Sequence, residues 1–371
     1  MAKFSVLIPV YNGGDHFRET VDSVINQTFA DIEVVISDDA STDKSASIIK
    51  EYAEKDKRVV PIFMERNMGT AAVRSHLVSK ATGDYCIFVD ADDELVIDAC
   101  EVLSDVIVSI DADIIQFGEN VINSSDLPEE SIKWFVDYIK PLQERLISDD
   151  LLHLCFAERK FAWNLHGKVF KTDLLKKAYD NIGDDRVISC EDIYGMFYIL
   201  FYARSYQGID YSPLYNYNYG RGANGQKTVS LQRYQNVCYQ ATISEKHEEF
   251  AERMGVTAWL KDILELNREM FVHGGVECWL SFSEKDRIAR LPILLDAWEP
   301  DLVINKLATK YIKPYESEIS FLKETIANLE NRVDEVQAEH DNVAAMLNSV
   351  WNSRWHKLGV KLKKLIPTTQ P

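Results

Sequence analysis

Tyr85-Cys-Ile-Phe-Val-Asp-Ala-Asp-Asp-Glu94 decides how the rest of the chain is read. Tyr85 to Val89 is a short apolar, β-branched and aromatic run, the signature of a buried strand. It ends abruptly in Asp90, Asp92, Asp93 and Glu94. Carboxylates crowded at a strand end repel one another, so the run calls for a cation. Hard oxygen ligands suit Mg2+ or Mn2+ carrying phosphates. A competing reading makes Asp92 or Asp93 the N-cap of a helix running from Leu95 towards Val108.

Outward from this strand the chain alternates. Phe4 to Val10 is a continuously apolar strand, as suits a parallel strand covered on both faces. Tyr11-Asn-Gly-Gly14 turns into an amphipathic helix over about Phe17 to Gln27. Glu33 to Ser37 is a second strand, ending in Asp38-Asp39-Ala-Ser-Thr-Asp43. A helix over Ser45 to Lys55, a strand over Val59 to Phe63, the turn Asn67-Met-Gly69 and a helix over Thr70 to Lys80 lead back to the acidic strand. Strands alternating with helices of this length mean βαβ units and a parallel sheet. Ligands of such sheets bind beyond the strand C-termini, where the order reverses. Asp38, Asp39 and Asp90 to Asp93 all fall at such ends. No G-x-x-x-x-G-K-[ST] loop and no G-x-G-x-x-G turn is present, so a diphosphate must be held by metal and side chains.

The 371 residues are 46% hydrophobic and carry a formal net charge of −18. The length allows more than one domain. The charge excludes a general nucleic-acid binder, which needs a basic surface. Six scattered cysteines without a C-x-x-C pair read as free thiols of a reducing compartment. The first residues enter a strand without a charged-then-apolar leader, and no apolar run approaches the roughly 18 residues of a spanning helix. The expected location is the cytoplasm, at the inner face of the membrane if the tail described below docks there.

Ser5-Val-Leu-Ile-Pro-Val-Tyr-Asn12, Ser37-Asp-Asp-Ala-Ser-Thr-Asp43, Glu65-Arg-Asn-Met-Gly69 and Val89-Asp-Ala-Asp-Asp93 together resemble family 2 glycosyltransferases, in the order and spacing of that family's GT-A fold. The resemblance implies a mostly parallel α/β domain, a nucleotide-sugar donor (a UDP-sugar) and an inverting transfer to a glycan or lipid-linked glycan. It also implies Mn2+ or Mg2+ on a D-x-D motif. By motif position Pro9 and Tyr11 would flank the base and Asp39 would bond the uracil. Asn67, Arg74, Asp90 and Ala91 would complete the donor site, with Asp92 on the metal. Val73-Arg-Ser75 departs from the family's Ala-Arg-Asn.

Asp111 to Gly118 reads as a strand whose leading Asp-x-Asp serves a turn. Asn120 to Pro141 reads as irregular, and Ser148 to Phe156 as a helix. Trp163-Asn-Leu-His-Gly-Lys-Val-Phe-Lys171 resembles the family's acceptor-side segment, where His166 is a candidate for diphosphate or metal and otherwise a structural histidine. Ser189-Cys-Glu-Asp-Ile-Tyr-Gly-Met-Phe197 places Glu191 and Asp192 at a helix start. Negative charge is favoured there in any case, but an inverting transfer needs a carboxylate base. The resemblance assigns that role to Asp192, with Glu191 beside it. Leu214 to Gly222 alternates Tyr with polar residues like an edge strand, and Arg221 in the loop after it is either a diphosphate clamp or a solvated charge.

The expected domains are 1–228 for the transferase, 229–313 helical, 314–350 a coiled coil and 351–371 a basic tail. Trp259, Phe271, Trp279, Phe282 and Trp298 in the helical part suit a core better than a sugar platform. Leu322, Ile326, Leu329, Val333, Val336, His340, Val343 and Leu347 recur at alternating intervals of four and three, which calls for a homodimeric coiled coil or docking on the helical part. Trp351, Trp355, Leu358, Leu362 and Leu365 line one stripe opposite most of the cations, as in helices that make peripheral membrane contact. A sugar nucleotidyltransferase would need a Gly-rich, Arg-bearing loop after the first strand. A haloacid-type phosphatase would need an Asp there. Intact Asp39, Asp92 and Asp192 argue against a catalytically silent nucleotide-binding scaffold.

Overall fold

A computed structural model describes residues 3–125, 127–187, 189–209, 213–221 and 229–312. They fall into two compact units, one comprising residues 1–228 and 242–268, the other residues 229–241 and those from 269 onward. The expected coiled coil, basic tail and glycine loop after Arg221 lie outside the described residues.

The first unit begins as the alternation requires: β1 (Phe4–Val10), α1 (Phe17–Ile25), β2 (Ile32–Asp38), α2 (Ser45–Lys55), β3 (Val59–Phe63), α3 (Thr70–Lys80) and β4 (Tyr85–Phe88). The strands pair in parallel, with Leu7 opposite both Val35 and Phe88. Phe4, Val6, Leu7 and Ile8 are fully buried, so both faces of β1 are covered. From β1 the chain steps outward to β2 and β3, and α3 then carries it back to β4 on the other side of β1. The sheet therefore reverses order between β1 and β2 on one side and β4 on the other, where a crevice opens beyond the strand ends.

Next come β5 (Glu94–Leu95), α4 (Ala99–Ser109), β6 (Ile114–Gln116), β7 (Glu119–Asn123), α5 (Glu129–Tyr138), β8 (Arg145–Ile147), α6 (Leu151–Phe156), β9 (Lys168–Lys171), α7 (Thr172–Tyr179), α8 (Glu191–Tyr202), β10 (Ser205–Gly208) and β11 (Tyr215–Tyr219). The large sheet has the order β3-β2-β1-β4-β9-β6-β10-β8, with β9 antiparallel to both neighbours. A small sheet has the order β5-β11-β7.

Several expectations need correction. The helix expected from Leu95 starts at Ala99, because Leu95 pairs with Tyr215 in the small sheet. Neither Asp92 nor Asp93 caps it; Asp98 holds that position. Residues 120–141 are not irregular but hold β7 and α5. Ile132, Phe135 and Ile139 share a helical stripe and are buried, and the Phe135 ring lies 4.9 Å from Tyr217 and 5.5 Å from Tyr219. The run from Tyr215 to Tyr219 is the middle strand of its sheet rather than an edge: its tyrosines face the core and its asparagines the other way. The helix expected from Ser148 starts at Leu151, where the Asp150 carboxylate accepts the His153 N–H. The Asp113 carboxylate, just before β6, accepts the N–H groups of Arg204 and Ser205 at the start of β10 at 2.8 and 3.2 Å, so it ties two strand starts together rather than closing a local turn.

Residues 242–268, covering most of α10 (Ala241–Met254) and the first half of α11 (Thr257–Leu280), belong to the first unit. His247 there stacks on Phe197 of α8 at 3.8 Å. The second unit holds α9 (Leu231–Cys238), the rest of α11, α12 (Glu284–Ala297) and α13 (Pro300–Ile312). Its core includes Phe271 and Trp298, whereas Trp259 of the first unit is 38% exposed. All six cysteines are free. No described helix is long and apolar enough to cross a membrane.

The packing of β10 allows no side chain at one position. A Cβ on Gly208 would lie 2.0 Å from the Leu142 carbonyl oxygen and 2.6 Å from its carbon, and backbone cannot yield as a side chain can. Gly208→Ala is expected to cost about 1–3 kcal/mol of stability, read as a lowered midpoint in urea. An unchanged midpoint would contradict this packing.

Candidate active site

Four segments meet at the crevice. In the turn after β1, Asn12 adopts φ +53°. It is tied to the loop after β2: its Oδ1 accepts the Thr42 N–H at 2.8 Å, its N–H donates to Ser41 Oγ at 2.9 Å, and the Gly14 N–H donates to Asp43 Oδ2 at 3.0 Å. Pro9 is buried opposite Ser37, while Tyr11 is 52% exposed, an aromatic ring at the rim with no core to fill. Asp39 is buried and accepts the N–H groups of Met68 and Gly69 at 2.6 and 2.9 Å. Burial raises its pKa against the pull of those two donors. Asp39 thus fixes the turn from which α3 starts. Asn67, in the same turn, is half-buried.

One turn into α3, Arg74 runs beneath the crevice with its side chain 3% exposed. Its guanidinium donates to Asp192 Oδ1 at 2.6 Å and to Asp90 Oδ1 at 3.1 Å, and lies 3.7 Å from Glu191 Oε1. The carboxylates after β4 and at the start of α8 are therefore one cluster about a single cation. Burial opposes the charge on Arg74, yet the three acids more than restore it and its pKa is raised. Burial and the neighbouring Asp192 raise Glu191 against the pull of Arg74.

The acidic run after β4 divides its labour. Asp93 is buried, accepting Tyr215 Oη–H at 2.8 Å and the Asn218 N–H at 2.7 Å, so it pins the run to β11. The Asp90 N–H donates to Tyr215 Oη at 3.2 Å, and the Ala91 carbonyl accepts from Thr20 at 3.0 Å. The Asp92 carboxylate is half-buried and takes no hydrogen bond from another described residue; burial and then the charge of Asp90 push its pKa up to about 6. An acid raised in this way is one that a cation would restore to its charged form. No three described His, Cys, Asp or Glu side chains gather closely enough to hold a metal by themselves. The residues fit a Mg2+- or Mn2+-type ion whose remaining ligands are phosphates and water.

His166 is buried beyond β9's start, its Nδ1 2.7 Å from Glu119 Oε2. Burial disfavours the imidazolium, but the Glu119 carboxylate outweighs that and raises the pKa to about 9. A ring held as a cation is a poor metal ligand. Lys168 is buried with its Nζ on the Asn164 carbonyl and side-chain oxygens at 2.7 and 3.0 Å, and burial lowers its pKa to about 8. Arg221 is not a solvated charge: it pairs with Glu19 at 2.9 Å and lies 3.9 Å from Glu94. The residues that sequence reasoning missed are Glu119, Tyr215 and Asn218. Glu119 lay between the strand expected to end at Gly118 and the irregular segment expected from Asn120, and the other two in a strand read as an edge.

A family model described as Glycosyl transferase family 2 matches residues 5–165. Over 112 residues the chain is 42% identical to "Glycosyltransferase GlyA" of Streptococcus pneumoniae serotype 4, covering 30% of this chain and 16% of that one. Over 262 residues it is 28% identical to "Putative glycosyltransferase EpsH" of Bacillus subtilis, covering 65% and 66%. The chain spans 16%, 33% and 40% of the length of three curated relatives it matches. Among solved structures it is similar to S. aureus TarS 1-349 in complex with UDP-GlcNAc, with a TM-score of 0.54 and 18% identity over 85% of this chain and 92% of that one. That likeness shows the GT-A fold.

Arg74 generates a prediction of its own. Arg74→Met leaves three carboxylates around a buried apolar side chain, at an expected cost of about 3–5 kcal/mol at pH 7.5. The cost is greatest where the acids are charged and shrinks towards pH 4, as carboxylates take up protons. Thermal unfolding of both proteins across that range measures the gap. A gap independent of pH would contradict the cluster.

Proposed function

We propose, from the premise that residues 5–165 of this chain belong to glycosyl transferase family 2, that the protein transfers a sugar from a nucleotide-diphosphate donor to a hydroxyl of a growing polysaccharide, inverting the anomeric carbon. The observation that carries the reading is the Asp90–Arg74–Asp192 bridge. It sets an acid from the end of β4 beside one from the start of α8, at the reversal point of the sheet. UDP is the favoured nucleotide, since the structurally similar TarS forms a complex with UDP-GlcNAc. A surface or secreted polysaccharide fits the curated relatives, among them "Putative teichuronic acid biosynthesis glycosyltransferase TuaG" of Bacillus subtilis.

In this reading the base lies against the exposed Tyr11 ring and Pro9, with Asp39 on its edge and Asn67 nearby. Asp90 and Ala91 face the ribose or sugar. Asp92 would hold a divalent metal, which when bound neutralises charge on the departing diphosphate. Asp192 has Oδ1 anchored by Arg74, and Oδ2 takes no hydrogen bond among the described residues. That oxygen accepts the proton of the acceptor hydroxyl while the hydroxyl oxygen bonds to C1 and the C1–O bond to the diphosphate breaks. Glu191, whose Oε1 lies 3.7 Å from the same guanidinium, is the alternative base. Arg221 would exchange Glu19 for the diphosphate. The heptads of residues 314–350 would pair two copies, and the basic tail would bring them to a membrane bearing a lipid-linked acceptor.

Asp192→Asn is expected to leave UDP-sugar affinity nearly unchanged while cutting turnover by on the order of 10²–10⁴, measured as released UDP. An active Asp192→Asn beside a dead Glu191→Gln would move the base to Glu191. Full activity of both variants would overturn the mechanism.

A further inference from the structure

Glu119 plays no part in the function as proposed so far, yet its surroundings are built around it. Its side chain is fully buried. A buried carboxylate is costly unless paired and hydrogen-bonded, and His166 Nδ1 at 2.7 Å is its partner, with Asn164 Nδ2 at 3.3 Å. The space it fills is reserved: Gly167 adopts φ +65°, and a Cβ there would lie 2.1 Å from Glu119 Oε1. The imidazole is also held by its faces, with ring centroids 5.6 Å from Tyr215 and 4.8 Å from Tyr217. One carboxylate and two aromatic rings therefore set one orientation.

Only one end of the ring is used. His166 Nε2 makes no hydrogen bond among the described residues, and it is not one of the fully buried atoms left without a partner, so it reaches solvent. An imidazolium carries two N–H donors, and with Nδ1 spent on Glu119 the second is open to a ligand. The charged groups around the ring are Glu119 from β7, Lys168 from β9, Asp90 and Asp93 after β4, and Asp192 from α8. The ring stacks on Tyr215, whose Oη accepts the Asp90 N–H and donates to Asp93, so His166 sits beside the acidic run that the proposed site uses.

We propose that Glu119 is a positioning residue that holds His166 as a fixed imidazolium, whose Nε2–H donates to the diphosphate of the nucleotide sugar. The diphosphate half rests on the glycosyltransferase reading above; the Glu119–His166 pair does not. The bond is charge-assisted at both ends, carboxylate to imidazolium and imidazolium to phosphate oxygen. It adds a positive charge to a crevice otherwise lined by acids, without a flexible side chain to order.

The test uses ¹⁵N-labelled full-length protein at pH 7.5, with the His166 ring signals assigned by their loss in His166→Gln. In the wild type both ring nitrogens should be protonated. In Glu119→Gln, whose amide oxygen still accepts the Nδ1–H, the ring should be neutral. UDP affinity should then fall about ten- to a hundredfold, with uridine affinity unchanged. A neutral His166 in the wild type overturns the pair. Equal losses of UDP and uridine affinity overturn the diphosphate role and leave a structural one. If Glu119→Gln does not fold, the wild-type Nε2 signal decides: it must shift on adding UDP and not on adding uridine. Wild-type protein that binds no UDP fails the donor reading, while the nitrogen spectra still judge the pair.

Discussion

A single buried guanidinium organises this molecule. Placing the charge of Arg74 away from water is costly, and only close carboxylates offset the cost. Its two strong partners, Asp90 and Asp192, come from the turn after β4 and the first residues of α8, the latter 118 positions away in sequence. Arg74 itself sits one turn into α3, whose start is fixed by the two N–H groups that Asp39 accepts. The ends of β2 and β4 and the starts of α3 and α8 are therefore linked through two polar anchors. A shift in any of them would strand a charge, which is how a crevice lined by acids keeps its shape.

The acidic run after β4 shows how one short stretch can serve structure and chemistry together. Asp93 is spent on Tyr215 and Asn218, and Asp90 on Arg74. Among the described residues Asp92 meets no donor from another residue, and burial with the charge of Asp90 raises its pKa. Four like charges side by side would be an unfavourable arrangement. With Asp90 and Asp93 anchored and Glu94 3.9 Å from Arg221, Asp92 remains to meet an external cation.

How much of this was legible in the sequence varied with the kind of signal. The first four strands and three helices followed from apolar runs, punctuating glycines and acids, because in a parallel sheet burial on both faces leaves an unbroken apolar strand. The catalytic candidates were legible as acids at strand and helix ends. What joined them was not: nothing in Val73-Arg-Ser75 says that this arginine is buried or which acids it meets. Residues 120–141 misled because polar Asn123, Ser124 and Ser125 separate two short elements, hiding the Ile132, Phe135, Ile139 stripe. The central place of Tyr215 to Tyr219 was hidden because alternation marks a strand with two unlike faces, which edge and middle strands share. Glu119, between the two segments, carried no signal of its own, and with it the partner of His166 went unread.

The claim on which everything else depends is that the crevice at the sheet's reversal point binds a nucleotide sugar. A ligand that binds only the folded state raises its Tm, so a thermal-shift panel of UDP-sugars and other nucleotide sugars, each with Mn2+, tests it directly. The account predicts a rise with at least one donor, lost in Asp39→Ala and reduced in Asp92→Asn or in excess chelator. A rise that survives both substitutions, or none with any nucleotide sugar, would contradict it.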